Sequence, residues 1–102
     1  MSRNHSSCMA LVKTTTVTTA GKAGLLYGYA LKCGTTISSV LFRDGGAAGT
    51  IRWGDGNAAV TVVGDVWKVM MFPIPIAFST DIYATIAGTG AVLYVAYVET
   101  ED

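Results

Sequence analysis

The stretch FPIPIAFSTDIYATIAGTGAVLYVAYV, from Phe72 to Val98, decides the fold. Both prolines of the chain lie in it, at positions 73 and 75. The backbone groups of residues two apart point to the same flank of an extended strand, and proline has no N–H to donate, so that flank lacks two donors. The segment from Phe72 to Ile76 can therefore pair on one side only. This predicts an edge strand or a crossover between two sheets.

The second half of this stretch predicts a hairpin. Apolar runs from Ile82 to Ala87 and from Ala91 to Val98 flank Gly88-Thr89-Gly90, which has the composition of a tight turn. The run from Ala91 to Val98 is apolar on both faces, which is not expected of a strand with one face in water. We expect it to be a covered central strand or part of a subunit interface.

Short β-like runs fill the rest of the chain, and no segment has sustained helical periodicity. Gly54-Asp55-Gly56-Asn57 has turn residues, and we expect it to separate strands at Thr50 to Trp53 and Ala58 to Val63. About eight short strands at roughly ten-residue spacing predict an all-β fold, a single antiparallel, jelly-roll-like β-sandwich over residues 11–102. Residues 1–10 begin with a polar, unpatterned segment, which predicts a flexible N-terminal arm.

The charge content narrows the range of partners. The 102 residues include seven basic and seven acidic ones, so no net charge attracts the chain to nucleic acid or to an anionic membrane. The longest uncharged run, from Ile82 to Val98, is interrupted by Gly88 and Gly90 and is shorter than the ~20 residues of a membrane-spanning helix. Charged residues make up 14% of the chain. Since buried interfaces are depleted in charge, we expect an oligomer or a component of a larger assembly.

Catalysis and metal binding lack suitable residues in the sequence. The single histidine, His5, lies in the expected arm, which argues against a Ser-His-Asp or Cys-His arrangement and against a strand-borne metal site. Asp44 and Asp55 each stand in glycine-rich segments that fit turns better than a calcium site of about six to eight oxygens. Cys8 and Cys33 are too few for the disulfide framework of a small secreted domain, so we expect thiols. We expect no enzymatic activity, no cofactor, no metal and no small-molecule substrate.

Aromatic and other apolar residues are the candidates for a contact surface. Trp and Met are enriched at protein–protein interfaces. Trp67, which is followed by Met70 and Met71, is therefore our preferred candidate for a residue that contributes strongly to binding. The competing interpretation is that Trp67 is a core residue. The predicted interface residues are Trp67, Met70, Phe72, Pro73, Pro75, Tyr94 and Tyr97. The alternative is a sugar-stacking site formed by Trp53, Asp55 and Asn57.

The order of several short segments adds a further indication. They are Gly24-Leu25-Leu26-Tyr27-Gly28, Leu41-Phe42-Arg43-Asp44-Gly45, Ala48-Gly49-Thr50, Phe72-Pro73-Ile74-Pro75-Ile76-Ala77-Phe78, Ile82-Tyr83, Gly88-Thr89-Gly90 and Val95-Ala96-Tyr97. This succession, from Gly24 to Tyr97, resembles the small β-sandwich, jelly-roll-like virion proteins of tailed bacteriophages. Asp81 departs from the family pattern, which favours glycine there.

The resemblance implies a structural virion protein. Members of that family decorate or cement the capsid by binding the major capsid protein, often as homotrimers, so the implied location is the capsid surface after assembly in the host cytoplasm. Relatives in fibres and spikes imply the alternative, a carbohydrate- or receptor-binding β-domain. The family has no catalytic residues, so none are assigned to this chain.

Overall fold

The computed structural model describes residues 3–19, 21–57 and 67–101, and the side chains of residues 3–8, 57 and 101 lie outside this description. No helix in these ranges is long and apolar enough to cross a membrane. Within them the chain forms eight strands and one short 3-10 helix, Gly46–Ala48. The strands are β1 (Arg3–Leu11), β2 (Thr15–Thr16), β3 (Gly24–Lys32), β4 (Ser38–Asp44), β5 (Thr50–Asn57), β6 (Trp67–Phe78), β7 (Ile82–Ala87) and β8 (Val92–Glu101).

The strands form two antiparallel four-stranded sheets packed as a sandwich, which confirms the predicted all-β fold. Sheet A has the order β1-β8-β3-β6, and sheet B has the order β2-β7-β4-β5. Pairing is nested along the chain, because β4 pairs with β5, β3 with β6, β2 with β7 and β1 with β8. The described chain therefore folds as one long hairpin whose arms are divided between the two sheets.

The core lies between the inner faces of the two sheets. Its largest fully buried apolar side chains are Phe42, Phe78, Leu26, Leu31, Ile82, Leu93, Val40 and Val95. Burial of each stabilises the fold by about 1.5–3 kcal/mol relative to exposure. β8 contributes two of them and lies between β1 and β3, so the last apolar run is a central strand, as one of the two alternatives predicted. Its outer face is not covered within the chain, since Tyr94 is 41% exposed. Cys33 is buried as well, with its Sγ 3.5 Å from the Gly34 carbonyl oxygen, and the Cys8 side chain lies outside the described part.

β6 is an edge strand of sheet A, as the two prolines predict. Its ladder with β3 is interrupted between Met71 and Ile76, and residues 72–75 have no partner in this register among the described residues. The prolines therefore lie in a bulge rather than in a strand paired along one side. Proline has no N–H to donate, which agrees with an interrupted ladder at this point.

The predicted hairpin around Gly88-Thr89-Gly90 is wrong in its strand pairing. The turn itself is present, with left-handed φ angles of 110° and 79° at its two glycines. The strands on either side do not pair with each other, because β7 belongs to sheet B and β8 to sheet A. Two apolar runs around a glycine-rich turn are compatible with a hairpin and with a connection between sheets, and only the long-range pairing distinguishes them.

The predicted turn at Gly54-Asp55-Gly56-Asn57 is also wrong, since these residues form the second half of β5. Gly54 lies opposite Leu41 of β4 in the register. A Cβ at this glycine would lie 2.8 Å from Leu41 Cδ2, so the glycine makes room for that side chain. The following predicted strand, Ala58 to Val63, lies outside the described residues.

The segment predicted as a flexible arm, residues 1–10, includes most of β1. β1 pairs with β8 from Arg3 opposite Glu101 to Leu11 opposite Leu93, and it forms the second edge of sheet A. Main-chain hydrogen bonds join strands whatever the side chains are, so a polar segment gives little sign of such pairing. The division into an arm and a domain of residues 11–102 stays a prediction.

Candidate functional site

Large apolar side chains crowd the outer face of sheet A. Trp67, Val69 and Met71 alternate along β6 and share its outward side, with exposed fractions of 40%, 62% and 60%. Tyr94 of β8 lies on the same side and is 41% exposed. Four large apolar residues thus face water together on one surface.

β3 lies between β6 and β8, and it has small residues directly opposite these large ones. Ala30 lies opposite Val69 on one side and Tyr94 on the other. Gly28 lies opposite Met71, and a Cβ there would lie only 2.5 Å from the Met71 Sδ atom. The missing side chain lets Met71 lie over the central strand. Large residues on the flanking strands and small ones between them make the surface concave.

We call this surface the apolar face and define it by Ala30, Trp67, Val69, Met71, Tyr94 and Ala96. It contains a hollow of about 140 Å³, lined by Tyr29, Ala30, Val69, Met71, Tyr94 and Ala96. The rings of Trp67 and Tyr94 reach over β3 to contact each other, with their centroids 5.4 Å apart. None of the described residues that line the hollow is charged; Lys32, half-buried, lies opposite Trp67 in the register.

A polar cluster joins the two sheets on the side where the edge strands β5 and β6 face each other. Trp53 Nε1 donates a hydrogen bond to the Tyr29 hydroxyl at 2.9 Å, and this hydroxyl donates to Asp55 Oδ2. Asp55 Oδ1 also forms an ion pair with Lys68 Nζ at 3.2 Å. Tyr29 and Lys68 belong to sheet A, whereas Trp53 and Asp55 belong to sheet B, so the cluster connects the layers.

Tyr29 and Asp55 keep fixed protonation states near neutral pH. Burial, followed by the hydrogen bond to Asp55, raises the pKa of Tyr29 to about 12. Burial by itself would raise the pKa of Asp55, but hydrogen bonds from Tyr29 and Lys68 outweigh it and lower that pKa below its ordinary value. Neither pKa is close to 7, so the pair is better suited to joining the sheets than to transferring protons.

A second polar cluster orders the turns at one end of the sandwich. The Asp44 carboxylate accepts hydrogen bonds from the backbone N–H groups of Ser79 at 2.9 Å and Thr80 at 2.8 Å. Burial by itself would raise the pKa of Asp44, but these donors lower it to about 2. The buried Asp81 accepts from the N–H groups of Gly45 and Gly46, at 3.2 and 3.0 Å. Both carboxylates are thus engaged by backbone donors, as expected for structural turns.

The seven predicted interface residues fall in three places. Trp67 and Tyr94 lie together on the apolar face. Pro73 and Pro75 lie in the bulge of β6, the first exposed and the second half-buried. The other three, which are half-buried and packed against the core, are Met70, Phe72 and Tyr97. An interface role for these three stays a prediction.

The residues of the alternative sugar site are only partly described. Trp53 and Asp55 are close to each other through the Tyr29 hydroxyl. The Trp53 ring packs edge-on against Phe72, with centroids 5.0 Å apart, and its N–H is donated to Tyr29. The Asn57 side chain lies outside the described part. This geometry gives Trp53 a packing role in the core, and the sugar site stays a hypothesis.

Several residues of the apolar face were not among the predicted interface residues. Val69 and Met71 follow Trp67 at a spacing of two, and the period of a strand places all three on one side. This spacing was a usable signal in the sequence. The small residues Ala30 and Ala96 gave none, because their importance depends on which strands flank them in the sheet.

Comparison of the chain with protein family profiles, with characterised proteins and with solved structures finds no match.

Proposed function

We propose that this chain is a structural virion protein, a decoration or cement subunit that binds the major capsid protein and stabilises the phage head. The observation that carries the proposal is the apolar face, on which four large apolar side chains are at least 40% exposed around an uncharged hollow. Contiguous apolar surface rimmed by polar residues is typical of sites where proteins meet.

The chemistry of the face fits a broad protein contact. It combines Trp, Tyr and Met, which are enriched in interface cores, with a hollow whose described lining residues are all uncharged. Apolar contact of this kind requires complementary shapes and few specific polar interactions. A cement subunit requires the same, because symmetry repeats a modest contact many times over the particle.

The strand pairing also supports the proposal. The nested pairs from β4–β5 out to β1–β8 agree with jelly-roll connectivity, which we infer for this chain. Jelly rolls occur in viral capsid domains as well as in lectins, so the fold by itself is compatible with both hypotheses. The apolar face favours the structural role, since sugars are recognised by polar groups placed beside exposed aromatic rings.

The test is the location and copy number of the chain in purified particles of the virus that encodes it. Quantitative mass spectrometry should find it in hundreds of copies, on the order of the number of capsid subunits, and added purified protein should saturate particles that lack it. A handful of copies would place it in a tail or fibre. Its absence from particles, together with no binding of added protein, would contradict the proposal.

A further inference from the structure

Ile74 is the most exposed large apolar side chain in the described part of the chain, at 81%. It stands between Pro73 and Pro75, in the bulge where the ladder between β6 and β3 is interrupted. Each proline fixes its own φ near −65°, so the bulge has few alternative conformations. An apolar side chain held in water on a stiff segment loses little entropy when it is buried by another molecule.

The hollow of the apolar face has the size and character to receive such a side chain. Its volume is about 140 Å³, and cavities of ~150 Å³ in protein interiors accommodate benzene. The residues that line it are uncharged, and so is the whole segment from Phe72 to Phe78. Because Ile74 is 81% exposed, it does not occupy the hollow of its own molecule.

We propose that Ile74 of one copy inserts into the apolar face of a second copy of this chain. The inference rests on the proposed function and deepens it, because it names a second copy as the neighbour of that face. The inserted side chain and the hollow are different parts of the molecule, so each copy can donate one Ile74 and accept another. Such a heterologous contact closes into a ring or continues as a chain of copies.

The size of the contact sets its strength. The apolar face has four large side chains that are only partly exposed, whereas a stable dimer buries about 800 Å² on each partner. A single contact is therefore weak, and a closed ring or binding to a particle stabilises it through repeated contacts. Association of the purified chain should accordingly depend strongly on protein concentration.

Two substitutions test the two halves of the contact, the inserted side chain and the hollow, one at a time. Ile74→Asp places a charge on the inserted side chain, at an exposed bulge position with no partner in the register. Ala30→Ile fills the hollow from its floor with a residue that strands favour. In sedimentation velocity over a concentration series, each variant should dissociate at a concentration at least tenfold higher than the native chain. Ile37→Asp is the control, since Ile37 is 75% exposed outside sheet A and the change should leave association unaltered.

Mixing the two variants is the decisive experiment. The Ile74→Asp chain keeps an open hollow and the Ala30→Ile chain keeps an intact Ile74, so the mixture should form one-to-one dimers and no larger species. Because such a dimer has a single contact, it should form at a higher concentration than the native assembly but at a lower one than either variant alone needs to associate. Circular dichroism and thermal melts of each variant identify any that fails to fold, and Ile74→Ser and Ala96→Leu then replace the failed partner. A mixture that associates no more than the two variants do separately, or a native chain that stays monomeric at every concentration reached, would overturn the inference.

The outcome can be distinguished from failure of the proposed function. If the native chain and the Ile74→Asp variant bind particles equally and neither self-associates, the inference fails while the virion role stands. If the Ile74-dependent dimer forms in the mixture but the native chain is absent from particles and does not bind them, the inference stands and the virion role fails.

Discussion

The outer faces of the two sheets present different surfaces to water. On sheet B, the outward residues of β4 are Ser39, Leu41 and Arg43, and all are half-buried. Gly54, on the edge strand β5, leaves the space into which Leu41 extends. On sheet A, the large residues are on the flanking strands, and the small ones are on β3 between them. The position of the small residue in the sheet therefore decides the shape of the outer face. A small residue on an edge strand is covered by the side chain of the neighbouring strand, and the surface stays flat. A small residue on an inner strand leaves a hollow between larger neighbours.

The largest expected effect concerns the glycine beneath the apolar face. A Cβ at Gly28 would lie 2.5 Å from the Met70 carbonyl oxygen, which is backbone and cannot simply rotate away. Gly28→Ala should lower the free energy of unfolding in urea by about 1–3 kcal/mol. The matched control, Gly54→Ala, meets only the end of the Leu41 side chain and should stay within about 0.5 kcal/mol of the native chain. Equal losses in the two variants would contradict the difference drawn between the faces.

The next effect compares binding by the two faces. Trp67→Ala should weaken binding to particles by more than about 1–2 kcal/mol, roughly tenfold, because it removes the ring that contacts Tyr94. Ile51 on sheet B is 50% exposed, so Ile51→Ala is a control of similar exposure. Titration of particles with labelled protein measures both. Loss of folding without loss of binding in the folded fraction would instead favour the interpretation of Trp67 as a core residue.

A third effect concerns the turns at one end of the sandwich, outside both outer faces, and depends on pH. The folded-state pKa of Asp44 is about 2, below its ordinary value of 3.8, so its stabilising contribution is complete above about pH 4 and is lost as the pH falls through 2. Asp44→Asn should cost about 1 kcal/mol at pH 7, the difference between charged and neutral acceptors, and less at pH 2. Urea unfolding at both pH values measures this. A cost that does not change between the two would exclude the carboxylate charge as its cause.

The smallest effect tests the inner side of β6. Lys68 pairs with Asp55 at 3.2 Å, but its side chain is 43% exposed, so Lys68→Met should reduce stability by only about 0.5 kcal/mol. Because Lys68 is not on the apolar face, binding to particles should be unchanged. Stability is measured in urea at low and high salt, and binding by the same titration as for Trp67. Weaker binding in this variant would mean that the contact surface extends beyond the apolar face.

The sequence allowed prediction of the features that depend on local chemistry. Pro73 and Pro75 lack donors wherever they lie, so an edge strand was one of the two alternatives that followed from them, and the all-β class followed from the repeated short runs. The turn at Gly88-Thr89-Gly90 was likewise visible. Which sheet each following strand joins was not, because that depends on partners distant in the chain.

The features that could not be predicted from the sequence depend on contacts between residues distant in the chain. Gly54 and Gly56 have the composition of a turn, yet they lie in β5, where Gly54 gives room to Leu41 and Asp55 accepts from Tyr29. The apolar face shows the same limitation. The period of a strand could have placed Val69 and Met71 beside Trp67. Gly28 and Ala30 form the floor of the hollow only because β3 lies between β6 and β8, and the sequence does not show that strand order.

The nested pairing of the strands has a consequence for folding kinetics. β1 cannot form its ladder until β8 is available, since Leu11 pairs with Leu93 and Arg3 with Glu101. Pairs so distant in the chain carry a large loop-closure cost, and all-β domains dominated by them fold in milliseconds to seconds. During synthesis on the ribosome, β4 and β5 can pair early. The ladder between β3 and β6 follows, and β1 stays unpaired until β8 has been synthesised. The edge of sheet A that it occupies is thus the last part of the described chain to be completed.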